Sequence, residues 1–421
     1  MVVPRTLSEE ALQPFKQLVD ASRDASDTAQ SGSSKESLRP LIIMQLSHAG
    51  RQSPSVLGGR LPFVPAMAPS PVALGQHVKP SSESQGTSKV EEAGWVSRLV
   101  YRFAFQTPRE MTAGDIDEVV DQFVRGARVA WESGFDGIEL HASHGYSIQS
   151  NRRVDEYSAR TSPLRLLHRI ASSIRAVVPP HFALGVKVNS ADYMDANSPL
   201  QGAEHGPDVE QRALAHVTEI ASWNMFDFIE ISGGDYESPD FMATSRQAFF
   251  SRFARLARSA IHELSAPVQP PLVLLTGGLR SAEVLNTALI HEHADILGIG
   301  RGSVLCHDLP RLLAAGGIDS MASDTRIFPV PPDLTYPDTP FARKLHRLLS
   351  LIGFLPLPRL IGAGVRMAWY VVMIGRLARG KSIDMNVGGM RAITGMWARE
   401  LGVILCVIAI FNCATIWMWV W

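Results

Sequence analysis

Short apolar runs alternate with segments of helical period through most of this sequence. The runs are LIIMQL (41–46), GIEL (137–140), LGVKVN (184–189), FIEISGG (228–234), PLVLLTGG (271–278) and ILGIGR (296–301). Between them, DIDEVVDQFVRGARVAWES places Ile116, Val119, Val120, Phe123, Ala127 and Ala130 on one stripe. VEQRALAHVTEIASW and SAEVLNTALIHEH are further amphipathic helices, each ending at a polar turn before the next run. Strand runs alternating with helices predict an α/β protein built on a parallel sheet.

The first predicted element is a helix with Leu7, Ala11, Leu12, Phe15 and Val19 on one face, capped by Thr6 and Glu9 at capping-box spacing, with Pro14 weakening its first turns. Residues 23–36 are polar and low in complexity, which predicts a surface loop. Residues 50–108 form a long connection carrying Pro and Gly, of the kind that often covers a site. A (β/α)8 barrel needs eight strands, and only six runs are present, so the predicted fold is an incomplete TIM barrel lacking its first two strands. Predicted boundaries are 1–345 for the barrel, 346–399 for a helical extension and 400–421 for an apolar tail.

Composition narrows the class. Of 421 residues 46% are hydrophobic, enough for a sizeable core, and the net charge of −1 without a basic block predicts no nucleic-acid partner. The three cysteines, Cys306, Cys406 and Cys413, form no CxxC and no even framework, as in a reducing compartment. Leu401–Trp421 carries no charge and would make roughly 31 Å of helix, about one bilayer core. Arg391 and Arg399 precede it, and Trp417, Trp419 and Trp421 close it, as interfacial anchors would. That predicts a single-pass tail anchor with a cytosolic body; the competing reading is a buried C-terminal helix in a cytoplasmic protein. RMAWYVVMIGRLARG could lie along a membrane surface or on the barrel.

In such a barrel the working residues sit at the C-terminal ends of the strands. Here those ends hold Gln45; His141, His144 and Tyr146; Lys187; Gly277 and Gly278; Gly300 and Arg301. Paired glycines let backbone N–H groups approach a phosphate, and Arg301 adds a bidentate cation; otherwise both are tight turns. Two imidazoles at one strand end can donate to a carbonyl oxygen while a tyrosine supplies a proton beside it; otherwise the histidines are structural. No carboxylate or cysteine is placed to complete a metal site. Lys187 needs an anionic partner if buried, for which a ring or phosphate would serve.

MQLSHAGRQSP, GFDGIELHASHGY, RRVDEY, GVKVNSADY, FIEISGGDYESP, LTGG and LGIGR resemble, in order, the signatures of the Old Yellow Enzyme family, FMN-dependent ene-reductases on a TIM barrel, over roughly residues 5–320. The resemblance implies FMN as cofactor, NAD(P)H as co-substrate and an α,β-unsaturated carbonyl as substrate. It places Gln45 on the flavin ring, Lys187 at its N1/O2 side, and Gly277, Gly278, Gly300 and Arg301 on the phosphate. His141 and His144 would polarise the carbonyl, and Tyr146 would protonate the α-carbon. The sequence departs from the family by lacking the opening strands and about six residues between Tyr146 and Arg152, and by carrying Ser158-Ala159 after DEY. An inactive paralogue or an incomplete gene model, acting as a membrane-tethered non-enzyme, is the alternative. A TIM-barrel lyase acting on a phosphorylated substrate would need a Schiff-base lysine or a carboxylate pair at the strand ends.

Overall fold

The computed structural model describes residues 3–27, 39–55, 64–74, 105–143, 151–190, 207–232, 250–264, 269–316, 327–334, 340, 343–344 and 359–396. It forms two compact units, one of residues 1–279 with 284–298, the other of residues 280–283 with 299–421.

The first unit is built on six parallel strands, β1 (Ile43–Leu46), β4 (Gly137–His141), β5 (Ala183–Asn189), β6 (Phe228–Ser232), β7 (Leu272–Thr276) and β8 (Ile296–Gly298), in that order across the sheet. β2 (Met67–Ala68) within the long 50–108 connection and β3 (Arg109–Glu110) just after it make a separate parallel pair, too short to leave a periodic signal. All six predicted runs are therefore sheet strands. Each neighbour in the sheet is the next sheet strand in the chain, which is the winding of a barrel rather than of a doubly wound sheet. No sheet strand precedes β1 among the described residues, in keeping with the expected incomplete barrel.

Alternation along these strands divides two environments. Ile138, Leu140, Leu184, Val186, Val188, Ile229, Ile231, Val273 and Leu275 are fully buried. They are the layer that meets the helices α2 (Ala113–Glu132), α3 (Arg165–Arg175), α4 (Pro207–Ser222), α5 (Ser251–His262) and α6 (Ala282–Ile290). Small residues on those helices, including Ala127, Ala171, Ala213, Ala254 and Ala288, let helix and sheet approach closely. The predicted stripe on α2 is buried as expected, apart from a half-buried Phe123. α2 also begins at a Thr112–Asp115 capping box, each side chain accepting from the other residue's backbone N–H.

A repeated device holds the strands in register. The residue just before β4, β6 and β8 is an aspartate, and each accepts from a backbone N–H at the start of the preceding strand: Asp136 from Ile42 (2.9 Å), Asp227 from Leu184 (2.7 Å) and Asp295 from Val273 (2.8 Å). An arginine completes each: Arg39 on Asp136, Arg175 on Asp227 and Arg258 on Asp295. An N–H at the end of a ladder would otherwise lack a partner, so these side chains close the sheet's N-terminal rim.

Two local expectations are corrected. α1 (Glu9–Asp27) is capped by Ser8, whose Oγ accepts from Ala11 N and whose carbonyl accepts from Leu12 N; Thr6 lies two residues too early. The helix continues through residues 23–27 of the expected loop, because Arg23 reaches across to the Gly134 carbonyl (2.6 Å) and ties the last turns down.

The second unit holds α7 (Arg301–Leu305), α8 (Leu309–Gly316), α9 (Arg359–Leu377) and a helix at 389–396. α9 is the RMAWYVVMIGRL segment. Its Ala368, Trp369, Tyr370 and Met373 are buried with Leu305 and Ala392 in a core of the second unit. No helix among the described residues is long and apolar enough to cross a membrane. The tail at 400–421 lies outside those residues, as do the expected anchor and its tryptophans.

Candidate functional site

Alternation puts a second set of residues on the opposite, concave face of the first unit's sheet. Register places Gln45 beside Glu139, Glu139 beside Gly185, and His141, Lys187 and Glu230 in one row across β4, β5 and β6. Four polar side chains then form one cluster. Gln45 Nε2 donates to Glu139 Oε2 (2.6 Å), Lys187 Nζ donates to Glu230 Oε1 (2.5 Å), and the neighbouring Glu230 carboxyl raises the Glu139 pKa. Thr276 on β7 also helps hold the Glu230 pKa down.

The carboxyls on β4 and β6 must bridge a whole strand, about two spacings of 4.8 Å. Gly185 lies between them on the same face: a Cβ there would lie 2.0 Å from the Phe228 ring, so only glycine leaves room for that ring to cover β5. The curl of the sheet then turns the two carboxyls toward each other.

Lys187 therefore has its anionic partner within the chain. Its side chain is 13% exposed and that of Glu230 10%. The expected anionic ring or phosphate is thus not the first partner of Lys187; a carboxylate of the chain is. The two carboxylates were missed in the sequence, although each interrupts an apolar strand in phase with His141 or Lys187, which is the pattern of a polar inner face.

His141 ends β4. Burial pulls its pKa down to about 4, and the Lys187 charge adds to the effect. The ring is therefore neutral near pH 7. Its Nδ1 accepts from the Ser143 N–H (3.3 Å), which leaves the ring proton on Nε2 as a donor. Ser143 Oγ donates to Asn189 Oδ1 (2.8 Å) at the end of β5, fixing this turn. The same arrangement occurs after β1, where His48 Nδ1 accepts from Gly50 N (3.2 Å) and burial lowers the His48 pKa. A cavity of about 90 Å³ beside it is bordered by His48, His141, Arg153 and Tyr157. His144 and Tyr146 lie outside the described residues.

The segment after them is pinned firmly. Arg153 is nearly buried and donates to the Met111 carbonyl (2.6 Å) and the Pro69 carbonyl (3.2 Å), and Arg152 N donates to Ser70 Oγ (2.8 Å). Tyr157 accepts from Arg169 (2.8 Å). RRVDEY thus staples this segment to the β2–β3 pair.

Gly277 and Gly278 follow β7 with φ of 126° and 72°, conformations that demand glycine. Gly300 is different. Its φ is −81°, and a Cβ there would meet nothing within 4 Å, so the packing of the chain itself does not require glycine. In the second unit Arg301 stands with Tyr370 and the like-charged Arg280 and Arg366. Burial pulls the Arg301 pKa down, Tyr370 opposes this, and the two arginines add to it. Arg301 remains surface-exposed, so the desolvation is partial. Within the second unit this concentration of positive charge suits an anionic group.

Comparison with known proteins agrees with this architecture. Residues 36–317 match the NADH:flavin oxidoreductase / NADH oxidase family. The chain is 34% identical over 287 residues to the NADH-dependent flavin oxidoreductase iliE of Neonectria sp. (strain DH2), covering 64% of this chain and 34% of that protein. It is 30% identical over 357 residues to the NADH-dependent flavin oxidoreductase iccE of Talaromyces variabilis, covering 80% of this chain and 74% of that protein. Among solved structures, a 2-naphthoyl-CoA reductase shares the fold, with a TM-score of 0.51 at 19% identity over 75% of this chain and 42% of that one. The chain thus spans about a third of the length of one curated relative and three quarters of another. Seven motifs in order, a sequentially wound parallel sheet and the match over 36–317 lead to one conclusion: the chain belongs to the NADH:flavin oxidoreductase / NADH oxidase family, the Old Yellow Enzyme family, on a TIM-barrel fold.

Proposed function

We propose that this chain is an FMN-dependent reductase that uses NADH to reduce a C=C bond conjugated to a carbonyl. The observation that carries the reading is the row His141–Lys187 at the strand ends, with Gln45 on the same face. The residues fit a flavin mononucleotide: a lysine and an amide on the concave face for the ring, and glycines and an arginine after β7 and β8 for the phosphate. Bound FMN supplies hydride relay from NADH to the β-carbon of the alkene.

The chain's own residues do the rest. Lys187, held by Glu230, offers positive charge toward the N1/O2 side of the ring. Gln45, with its Nε2 engaged by Glu139, presents its carbonyl oxygen with a fixed orientation. Gly277 and Gly278 serve as the phosphate loop after β7, and Gly300 with Arg301 as the cation-bearing turn after β8. His141 donates Nε2–H to the substrate carbonyl as a neutral imidazole, stabilising the enolate oxygen without giving up its proton. His144 is assigned the same oxygen, and Tyr146 delivers the proton to the α-carbon. NADH is preferred to NADPH because the relatives are named NADH-dependent. The stretch 400–421 is proposed to anchor the barrel to a membrane, which carbonate extraction of the full-length chain tests.

The deciding experiment is absorbance spectroscopy of the purified chain supplied with FMN. A protein-bound flavin band that bleaches with NADH and returns with an enone supports the reading. A colourless protein favours the non-enzyme alternative.

A further inference from the structure

The roles above leave two buried carboxyls on the concave face unused. Glu139 and Glu230 are 6% and 8% exposed, yet both touch a residue assigned to the flavin. The groups that face them are Gln45 from β1, His141 further along β4, Lys187 from β5 and Thr276 from β7. Two neighbouring buried carboxyls with a single lysine beside them favour holding one proton, because one lysine cannot neutralise two carboxylates. The partners decide where that proton sits. Lys187 bonds Glu230 directly and Thr276 also favours its ionised form, whereas Glu139 takes the Gln45 amide and feels the Lys187 charge without bonding it among the described residues.

We propose that Glu139 and Glu230 are a one-proton carboxyl pair that positions Gln45 and Lys187 and sets the potential of a flavin bound above them. The inference rests on the flavin roles of Gln45 and Lys187. With Glu139 protonated, Glu230 and Lys187 cancel, and the floor of the site is neutral. Loss of the shared proton would leave one net negative charge there, which opposes adding electrons to the ring. Burial and the neighbouring Glu230 carboxyl push Glu139 up to about 8. Above that pH, two-electron reduction draws one solvent proton onto Glu139, because negative charge above it raises its proton affinity further.

Two measurements test this, with Glu139→Gln as the variant that keeps a side-chain amide and cannot ionise. The first uses the chain without flavin. Folded Glu139 holds its proton to about pH 8 and the unfolded residue releases it near 4.5. The folded state therefore binds more protons between those values, and stability falls as pH rises through them. Glu139→Gln removes that slope. Should the variant fail to fold, infrared spectroscopy of the unsubstituted chain still decides, by a protonated-carboxyl band present near neutral pH and lost above about pH 8. The second is the midpoint potential of bound FMN against pH. The unsubstituted chain should show an extra slope above about pH 8, up to tenfold in the reduction equilibrium per pH unit, about 30 mV for two electrons. The variant should lack it.

A stability slope and an extra potential slope that both vanish in Glu139→Gln support the pair as a device acting on the flavin. Bound FMN with no extra slope overturns this inference alone. A chain that binds no FMN overturns it together with the functional reading. Absence of both the stability slope and the infrared band shows two ionised carboxylates and overturns the shared proton.

Discussion

Lys187→Met tests whether charge pairing within the sheet, rather than a ligand, accounts for a lysine in an apolar strand. The substitution keeps an unbranched side chain of similar volume and deletes the ammonium that lies 2.5 Å from Glu230. Both partners are about nine-tenths buried, so the exposed-pair value of under 1 kcal/mol does not apply. Breaking a buried pair by removing one member costs about 3–5 kcal/mol, because the remaining charge stays desolvated. That is a large share of the roughly 5–15 kcal/mol that holds a domain together. The carboxyls left behind have no cation, so their folded pKa values rise above the unfolded value of 4.5. The sign follows: the deficit is largest at and above neutral pH and shrinks as pH falls to and below 4.5, where the unfolded state takes up the protons too. Urea unfolding at neutral and mildly acidic pH, followed by circular dichroism, measures this. Lys187→Met with Glu230→Gln should recover most of the loss, since no uncompensated charge remains. A single variant within about 0.5 kcal/mol of the parent at neutral pH, or a double variant as unstable as the single, would refute the buried pair.

Gly185→Ala should destabilise the chain by about 1–3 kcal/mol through overpacking, because its Cβ would lie 2.0 Å from the Phe228 ring; adding Phe228→Leu should restore part of that, and thermal melts of both variants check it. His141→Phe should lower kcat/KM for an enone by about 100-fold while leaving the visible flavin spectrum in place, and stopped-flow traces of the flavin's oxidation by the enone read the loss. Because folded His141 titrates near 4 and the unfolded ring near 6.5, the unfolded state binds more protons in that window; stability contributed here falls as pH drops from 6.5 toward 4, and His141→Asn should flatten that limb of a pH–stability curve. Thr112→Ala should cost about 1 kcal/mol by removing the cap on Asp115 N, read as a shift in urea midpoint with an unchanged slope.

Much of the candidate site could be read without coordinates because its signals are local. Gly277 and Gly278 stand where the backbone turns to positive φ, and a pair of glycines after an apolar run announces that demand. Lys187 stood out as a charge in an apolar strand. Its partner did not, because Glu230 lies 43 positions further on and becomes its neighbour only through the β5–β6 register. The capping residue of α1 was misplaced for a related reason: Thr6 and Ser8 both offer hydroxyls, and only the packing of Leu12 and Val19 decides where the first turn starts.

The sequence alone determined the six strands, the helices whose stripes were recognised between them and the family, because alternation and turn chemistry act within a few residues of each other. Tertiary structure decided what the inner face holds. Glu139 and Glu230 become neighbours across β5 only through the sheet's register and curl, and Gly185 between them leaves room for the Phe228 ring. Their shared proton then depends on burial and on which strand brings Lys187 close. No local pattern encodes those distances; they follow from register and curvature.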